Sequence, residues 1–331
     1  MESIKNNEDY INYYNFNENG SCISIGTKNG FKIILCDPYD NYYESNFNNG
    51  IGIVEMYKSS NILALTGCEK DSKFSDNQLI IWDDNKKEIF KELRLISKIR
   101  IVKIINDILF LVNDIKIYVF NFPELSFINY LDIYSYKNEL ISFCVKSEIK
   151  LAYLKDKTNI YIKHIKFDKK SKMKTLICNK DNESNFIYLQ FNTKGNILAA
   201  ATEEIIYLYN TSNGDCTREI TNSGFKLGFI NCIKFNNDDK FLAISIIINQ
   251  NNGCINIFDI GKEKEKSIFD FFMSSEDECY SEYNVKNGDF KFCFDKNDNI
   301  LIITKNGKFN KIFFDKKEKK CELMINKNLF I

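Results

Sequence analysis

Short runs dominated by Ile, Val, Phe and Tyr recur along the whole chain, parted by clusters of Asn, Asp, Gly and Lys. Cys22–Ile25, Phe31–Leu35, Ile62–Leu65, Gln78–Trp82, Ile108–Val112, Ile115–Phe120, Ile197–Ala201, Ile205–Tyr209, Phe241–Ile246 and Cys254–Phe258 are such runs. β-Branched and aromatic residues fit the pleated, half-buried surface of a sheet, so these runs predict strands. No capped stretch with an apolar period of 3.6 competes with them. The pattern predicts an all-β chain.

A longer period lies above the strands. Tyr13–Gly26, Tyr188–Ala201, Cys232–Ser245 and Phe290–Thr304 each read as strand, polar turn, then a second strand, and small residues fill that second strand in the first three. A third strand ending in an apolar-aromatic pair follows, as in Tyr207-Leu208-Tyr209, Ile257-Phe258 and Ile312-Phe313. A four-strand unit of about 40–50 residues is the signature of a propeller blade, and seven units of about 47 residues use up the chain. The expectation is a single domain over residues 1–331: a seven-bladed WD-repeat-like β-propeller in one closed ring. Its N-terminal strand would complete the last blade and so remove exposed sheet edges. Whether residues 135–180 form a regular fourth blade is not legible from the pattern.

Composition then narrows the chemistry. Of 331 residues 44% are apolar, enough for a folded core, and 45 basic residues balance 45 acidic ones. That neutrality gives no sequence-wide attraction for nucleic acid. Only Arg94, Arg100 and Arg218 are arginine, which leaves 42 of the 45 basic residues as lysine beside 43 asparagines. Asn, Lys, Ile, Phe and Tyr share A/T-rich codons, so base bias accounts for this composition. His164 is the single histidine and lies on the polar alternation of Ile160–Ile165, which places it on a strand surface. It alone would have to serve any Ser–His–Asp or Cys–His arrangement. The 11 cysteines never approach within fewer than 14 positions, so no zinc or redox pair is expected. They read as free thiols, packed as small hydrophobes, in a reducing compartment.

No Gly-rich phosphate loop, nucleophile elbow or H-E-x-x-H helix is present in the sequence. The pairs Glu203-Glu204 and Asp238-Asp239 read as turn residues. The lysine runs in 169–174 and 316–320 read as solvated loops. The longest apolar runs, such as Phe241–Ile248, are too short to cross a bilayer as a helix. A soluble intracellular protein that is not an enzyme, without metal or cofactor, is expected, and a closed propeller gives no reason for more than a monomer.

One stretch points further. Leu63–Asp84, with Gly67, Lys73-Phe74 and Ile81-Trp82-Asp83-Asp84, resembles the second blade of the PROPPINs, the WD-repeat β-propellers of autophagy that bind phosphoinositides. The resemblance is closest to the short, ancient subgroup. Ile99–Lys103, Ile108–Val112 and Ile115–Phe120 stand where third-blade strands fall. Glu219-Ile220 and then Ile230–Phe235 match the join of blades five and six. The resemblance implies a scaffold of autophagy or endosomal trafficking, cytoplasmic and peripheral on endosomal or autophagic membranes. It implies two partners: a phosphoinositide-containing membrane surface, and the bridge-like lipid-transfer protein of autophagy, met by loops near blades two and three.

In that family two pockets at blades five and six take phosphatidylinositol 3-phosphate or the 3,5-bisphosphate, and the hallmark is F/L-R-R-G. A guanidinium fork holds two phosphate oxygens and stays charged. Here Thr221-Asn222-Ser223-Gly224 follows Glu219-Ile220, and neither arginine is present. By the resemblance the degenerate lipid positions are Thr202, Thr221, Asn222, Ser245 and Asn256, with Asn256 standing where histidine is common. Arg218, Lys226 and Lys234 are candidates for compensating charge. Hydrogen bonds to charged groups contribute about 1.5–3 kcal/mol each, so their loss predicts binding ten- to a hundredfold weaker. Two readings stay open: a lipid effector of reduced or altered affinity, and a protein-only platform whose pockets have decayed.

A second membrane device is implied for the loop Gly261–Asp277. Ile268, Phe269, Phe271, Phe272 and Met273 would form an apolar tip beside Lys262, Lys264 and Lys266. The alternative is that Ser267–Met273 is the outer strand of its blade.

Overall fold

In the computed structural model residues 10–329 are described, except 18, 59, 135–139, 146–147, 157–158, 166–174, 179–184, 222 and 262–276. The chain folds into seven antiparallel four-stranded sheets, each made from four strands consecutive in sequence. Seven such sheets are the arrangement of a seven-bladed β-propeller, as the spacing predicted. The sheets span residues 11–46, 54–94, 101–132, 141–178, 188–221, 229–285 and 290–328. The fourth is regular: Ile141–Val145, Ile149–Leu154, Ile160–Ile165 and Thr175–Cys178 pair in sequence order.

One expectation is corrected by the topology. The first described strand, β1 (Ile11–Phe16), pairs with β2 (Cys22–Thr27) inside the first sheet. The last sheet takes all four strands from β25 (Phe290–Phe294), β26 (Ile300–Thr304), β27 (Lys308–Asp315) and β28 (Lys320–Asn328). Among the described residues no N-terminal strand joins that sheet.

Burial follows strand position. Second strands lie within their sheets with both faces covered, so they read as unbroken apolar runs: Ile108–Val112 and Ile300–Ile303 are buried throughout. Fourth strands are edges, and Tyr39–Asn46, Glu88–Arg94 and Lys320–Asn328 carry most of the exposed and charged positions of their sheets. The backbone falls into two compact units. The first comprises Met1–Tyr130, Ile303–Phe309 and Asn326–Ile331, and the second Leu131–Ile302 and Asn310–Ile325. In the first unit Phe31, Val54, Leu65, Ile80 and Trp82 share one core. The strand end Ile81-Trp82-Asp83-Asp84 is structural, as expected. The Trp82 indole donates to Asp84 Oδ1 at 2.9 Å, and Asp83 Oδ1 accepts from the Asn85 and Lys86 amides at 3.1 and 3.2 Å.

In the second unit the turns between first and second strands tie sheets together. Asn192, Asn236 and Asp295 open these turns. Their side chains accept the amides of Ile197, Phe241 and Asn299 at 2.9, 2.8 and 2.9 Å. The fourth turn position needs a left-handed backbone. Gly195 fills it with φ 68°, but Asp239 and Asp298 fill it with φ 61°. A carboxylate there does what glycine cannot. Asp239 accepts from Asn192 Nδ2 (3.0 Å), the Thr193 amide (2.8 Å) and Thr193 Oγ1 (2.9 Å) of the fifth sheet. Asp298 accepts from Asn236 Nδ2 (2.9 Å), and from the Asn237 amide and Nδ2 (2.9 and 2.6 Å), of the sixth. The acids read from sequence as plain turn residues thus include one, Asp239, that joins two sheets.

Asp295 gives a pH prediction. Burial alone would raise its carboxyl, but bonds from Asn299 and the Asn297 amide, with Lys311 Nζ at 3.2 Å, hold it below the usual range. A depressed folded value means its stabilisation is complete above the unfolded pKa of about 3.9 and is lost as pH falls through the lower folded value. Melting temperature followed from pH 7 to 2 is expected to fall less steeply below pH 4 in Asp295→Asn than in the natural chain. Parallel acid limbs would refute the assignment.

Candidate functional site in the fifth and sixth sheets

The positions that the resemblance singles out lie on or beside strands β18 (Ile197–Ala201), β20 (Cys216–Thr221), β21 (Phe229–Phe235), β22 (Phe241–Asn249) and β23 (Asn252–Asp259), with β19 (Ile205–Asn210) between the first two. Thr202 follows β18 and is buried. Its hydroxyl donates to the Ile205 carbonyl at 3.1 Å and accepts the Ile205 amide at 3.2 Å. Thr27, Asn113 and Thr304 bond the corresponding turns of other sheets, accepting the amides of Gly30, Lys116 and Lys308 at 3.1, 2.8 and 2.9 Å. Thr202 is therefore the fifth-sheet copy of a general turn device. Ser245 is fully buried and reaches the Cys232 carbonyl only at 3.5 Å, a weak bond. Asn256 is 4% exposed and stands between Ile244 and Glu282, and its Oδ1 has no hydrogen-bond partner among the described residues.

The segment that the resemblance aligns with the arginine pair is anchored by an apolar side chain. Ser223–Leu227 forms a single 3-10 turn, and Phe225 is buried from it against Phe258, ring centroids 5.9 Å apart. Gly228 follows because a Cβ there would stand 2.2 Å from the Ile247 carbonyl oxygen. Asn222 and the Lys226 side chain lie outside the described residues. Lys234 donates to Gln190 Oε1 at 3.2 Å.

Arg218 is the informative residue. Its Nη1 donates to the Asp259 carbonyl and its Nη2 to Asp277 Oδ1, both at 3.1 Å. The Asp277 side chain is 3% exposed, and its Oδ2 accepts the Thr221 amide at 3.1 Å. The Asp277 amide in turn donates to the Thr221 carbonyl at 2.7 Å. One guanidinium thus binds both feet of the 260–278 connection, and its charge is balanced by a buried carboxylate. The tip residues Ile268, Phe269, Phe271, Phe272 and Met273 lie outside the described residues. The outer strand of the sixth sheet is β24 (Ser281–Val285), and Ser267–Met273, the alternative for that place, lies outside the described residues.

Asp277 is the residue that sequence reasoning missed. It lies in the acidic run Glu276-Asp277-Glu278, 59 positions from its partner. The usable signal was Arg218 itself, an arginine kept in a lysine-biased chain, since a fork suits buried pairs. His164 is half-buried rather than on the surface, with Nδ1 2.7 Å from Glu148 Oε1. Among the described residues no three His, Cys, Asp or Glu gather to hold a metal ion, ten cysteines are free thiols, and no helix is long and apolar enough to cross a membrane.

Known proteins place this arrangement. The structure aligns with Hsv2 of Kluyveromyces lactis at a TM-score of 0.77, covering 97% of this chain and 99% of that one at 18% identity. The sequence is 27% identical over 291 residues to SVP1-like protein 2 of Debaryomyces hansenii, covering 74% of this chain and 66% of that protein. It is 36% identical over 111 residues to Autophagy-related protein 18 of Saccharomyces cerevisiae, covering 34% of this chain and 22% of that protein. The chain is homologous to Hsv2 and Autophagy-related protein 18, members of the PROPPIN family. No family model matches it. The matches span less than two thirds of the length of these curated PROPPIN relatives. The Hsv2 likeness shows the fold, and the sequence matches show similarity over part of these relatives. Arg218, balanced within the chain by Asp277, precedes Thr221–Gly224, the segment that the resemblance aligns with the arginine pair.

Proposed function

We propose that this PROPPIN is a non-enzymatic scaffold of autophagy or endosomal trafficking, working in the cytoplasm and peripherally on membranes. Its headgroup binding is weaker than that of relatives with the arginine pair. The observation that carries this reading is the Arg218–Asp277 pair, at 3.1 Å. A guanidinium already neutralised by a buried carboxylate adds little to the field at a phosphate. Thr202, held on Ile205, and Lys234, held on Gln190, add polar contacts and one charge without replacing two forks. The propeller by itself selects neither lipid nor protein as the principal partner.

The same pair favours a second reading, a protein-only platform. In either reading the protein contacts fall to the loops, among them the Gly67–Phe74 loop. Ser72 Oγ pins that loop, accepting the Cys68 amide at 2.8 Å and donating to the Phe74 carbonyl at 2.7 Å.

Liposome co-flotation separates the two readings. Vesicles carry phosphatidylinositol 3-phosphate, the 3,5-bisphosphate or neither, and the Phe271→Asp/Phe272→Asp double variant runs beside the natural chain. Flotation that requires the phosphoinositide and weakens in the variant is the expected result. No flotation of folded protein on any vesicle would leave the protein-only platform.

A further inference from the structure

The carboxylate that balances Arg218 is held the way a bound anion is held. β20 is the outer strand of its sheet, so alternate backbone groups along it have no partner in the ladder. At Thr221 residue 277 takes that place. The Thr221 amide donates to Asp277 Oδ2 at 3.1 Å, and the Thr221 carbonyl accepts the Asp277 amide at 2.7 Å. Arg218 Nη2 donates to the other carboxylate oxygen, Oδ1, also at 3.1 Å. One carboxylate thus meets a guanidinium through one oxygen and a main-chain amide through the other. An arginine fork beside an oriented amide is a donor set that suits carboxylates and phosphate monoesters alike.

Donors and anion come from different kinds of structure. Arg218 and Thr221 stand in a regular strand, and Arg218 Nη1 is fixed on the Asp259 carbonyl at 3.1 Å. Asp259 Oδ1 accepts the Gly261 amide at 3.0 Å, within the same foot of the connection. Asp277 belongs to neither β23 nor β24 and lies between them. Its side chain is the more deeply buried of the pair, so the carboxylate covers the donors from solvent. The donors are framework, and the anion is a plug seated on them from a connection outside the ladder.

We propose that Arg218 and the Thr221 amide form an anion cradle for a phosphate monoester, kept filled by the chain's own Asp277. Arg218 precedes Thr221–Gly224 and the second donor is main chain, so the cradle needs none of the side chains that the resemblance singles out. A phosphate monoester carries three free oxygens and a second charge, and it competes with Asp277 for the same donors. Whatever draws residue 277 away from Thr221 opens the cradle, so the plug and the ligand exclude each other. A free phosphate and an inositol headgroup offer this chemistry equally. With lipid as the source, the inference rests on the membrane reading proposed above; the cradle itself does not.

Asp277→Ala empties the cradle, and thermal melts at fixed ionic strength read what refills it. Formate (the side-chain carboxylate cut free), inorganic phosphate and inositol 3-phosphate form separate arms, with chloride as the control. The melting temperature of Asp277→Ala is expected to rise saturably in all three arms and to recover most of its loss. The natural chain, already plugged, should respond no more than it does to chloride, and so should Arg218→Met/Asp277→Ala, which lacks the fork. Co-flotation on vesicles bearing phosphatidylinositol 3-phosphate is the second readout, with Asp277→Ala expected to bind about tenfold tighter than the natural chain. A soluble response without that gain keeps the cradle and removes lipid from its ligands. No response of Asp277→Ala beyond chloride overturns the inference, as does an equal response in the double variant or in the natural chain. Should Asp277→Ala fail to fold, Asp277→Asn, which keeps the size and drops the charge, decides in the same arms.

Discussion

Replacing Asp277 by alanine is expected to lower stability by about 3 kcal/mol, the lower end of the cost of breaking a buried pair by removing one partner. The change strips Arg218 of its counter-charge and the Thr221 amide of its acceptor, and the guanidinium remains where water reaches it poorly, with a side-chain exposure of 19%. Urea unfolding should show the midpoint fall with the slope unchanged, since the surface exposed on unfolding stays nearly the same. Arg218→Met should also destabilise, by leaving the carboxylate alone. The double variant should lose clearly less than the sum of the two, because residues in contact do not add. A loss below about 0.5 kcal/mol for Asp277→Ala, the size of an ordinary surface change, would show that the pair is not the anchor described here.

Asp298→Ala is expected to cost a similar amount, about 3 kcal/mol, for a different reason. It deletes three bonds to Asn236 and Asn237 and a 2.6 Å contact with Lys316, and orphaned buried donors cost about 1–3 kcal/mol each before relaxation. Alanine adds a second penalty at φ 61°, where a Cβ is disfavoured by about 1–2 kcal/mol. Asp298→Gly separates the two effects. It relieves the backbone and still loses the carboxylate, so it should fall between alanine and the natural chain. Asp298→Asn, which keeps one acceptor oxygen, should be the mildest. Thermal or urea unfolding of the three variants gives the order. Glycine equal to or above aspartate would mean that the turn wanted only a left-handed residue and that the tie between sheets carries no weight.

These two acids mark where reading the sequence stopped. Strands were legible because apolar content repeats: Ile205–Tyr209 lies within Ile205–Asn210, and Ile108–Val112 is a strand end to end. The blade period was legible because Phe191, Phe235 and Phe294 close the same kind of strand. The fourth sheet was obscure because Ile149–Leu154 lacks both the preceding Asn-containing turn and the run of alanines found in the fifth sheet's Ile197–Ala201. Pairings between distant acids and bases left no period at all. Arg218 therefore read as spare charge, and Asp239 as an idle turn residue. Thr202 was placed at the end of its strand correctly. Its neighbours in sequence could not show that a turn hydroxyl recurs in sheet after sheet with a local purpose.

That every sheet is made of four successive strands has a kinetic side. Each ladder closes between neighbours in the chain, so all the strand pairing can form without searching for a distant partner, and contacts of short sequence separation form fast. It also sets how the protein comes apart. Among the described residues no strand is lent from one end of the chain to the other, so the β25–β28 ladder can open without breaking a strand-to-strand bond of the β1 sheet. Backbone amides should then exchange with solvent sheet by sheet, each at its own free energy, rather than as one cooperative block.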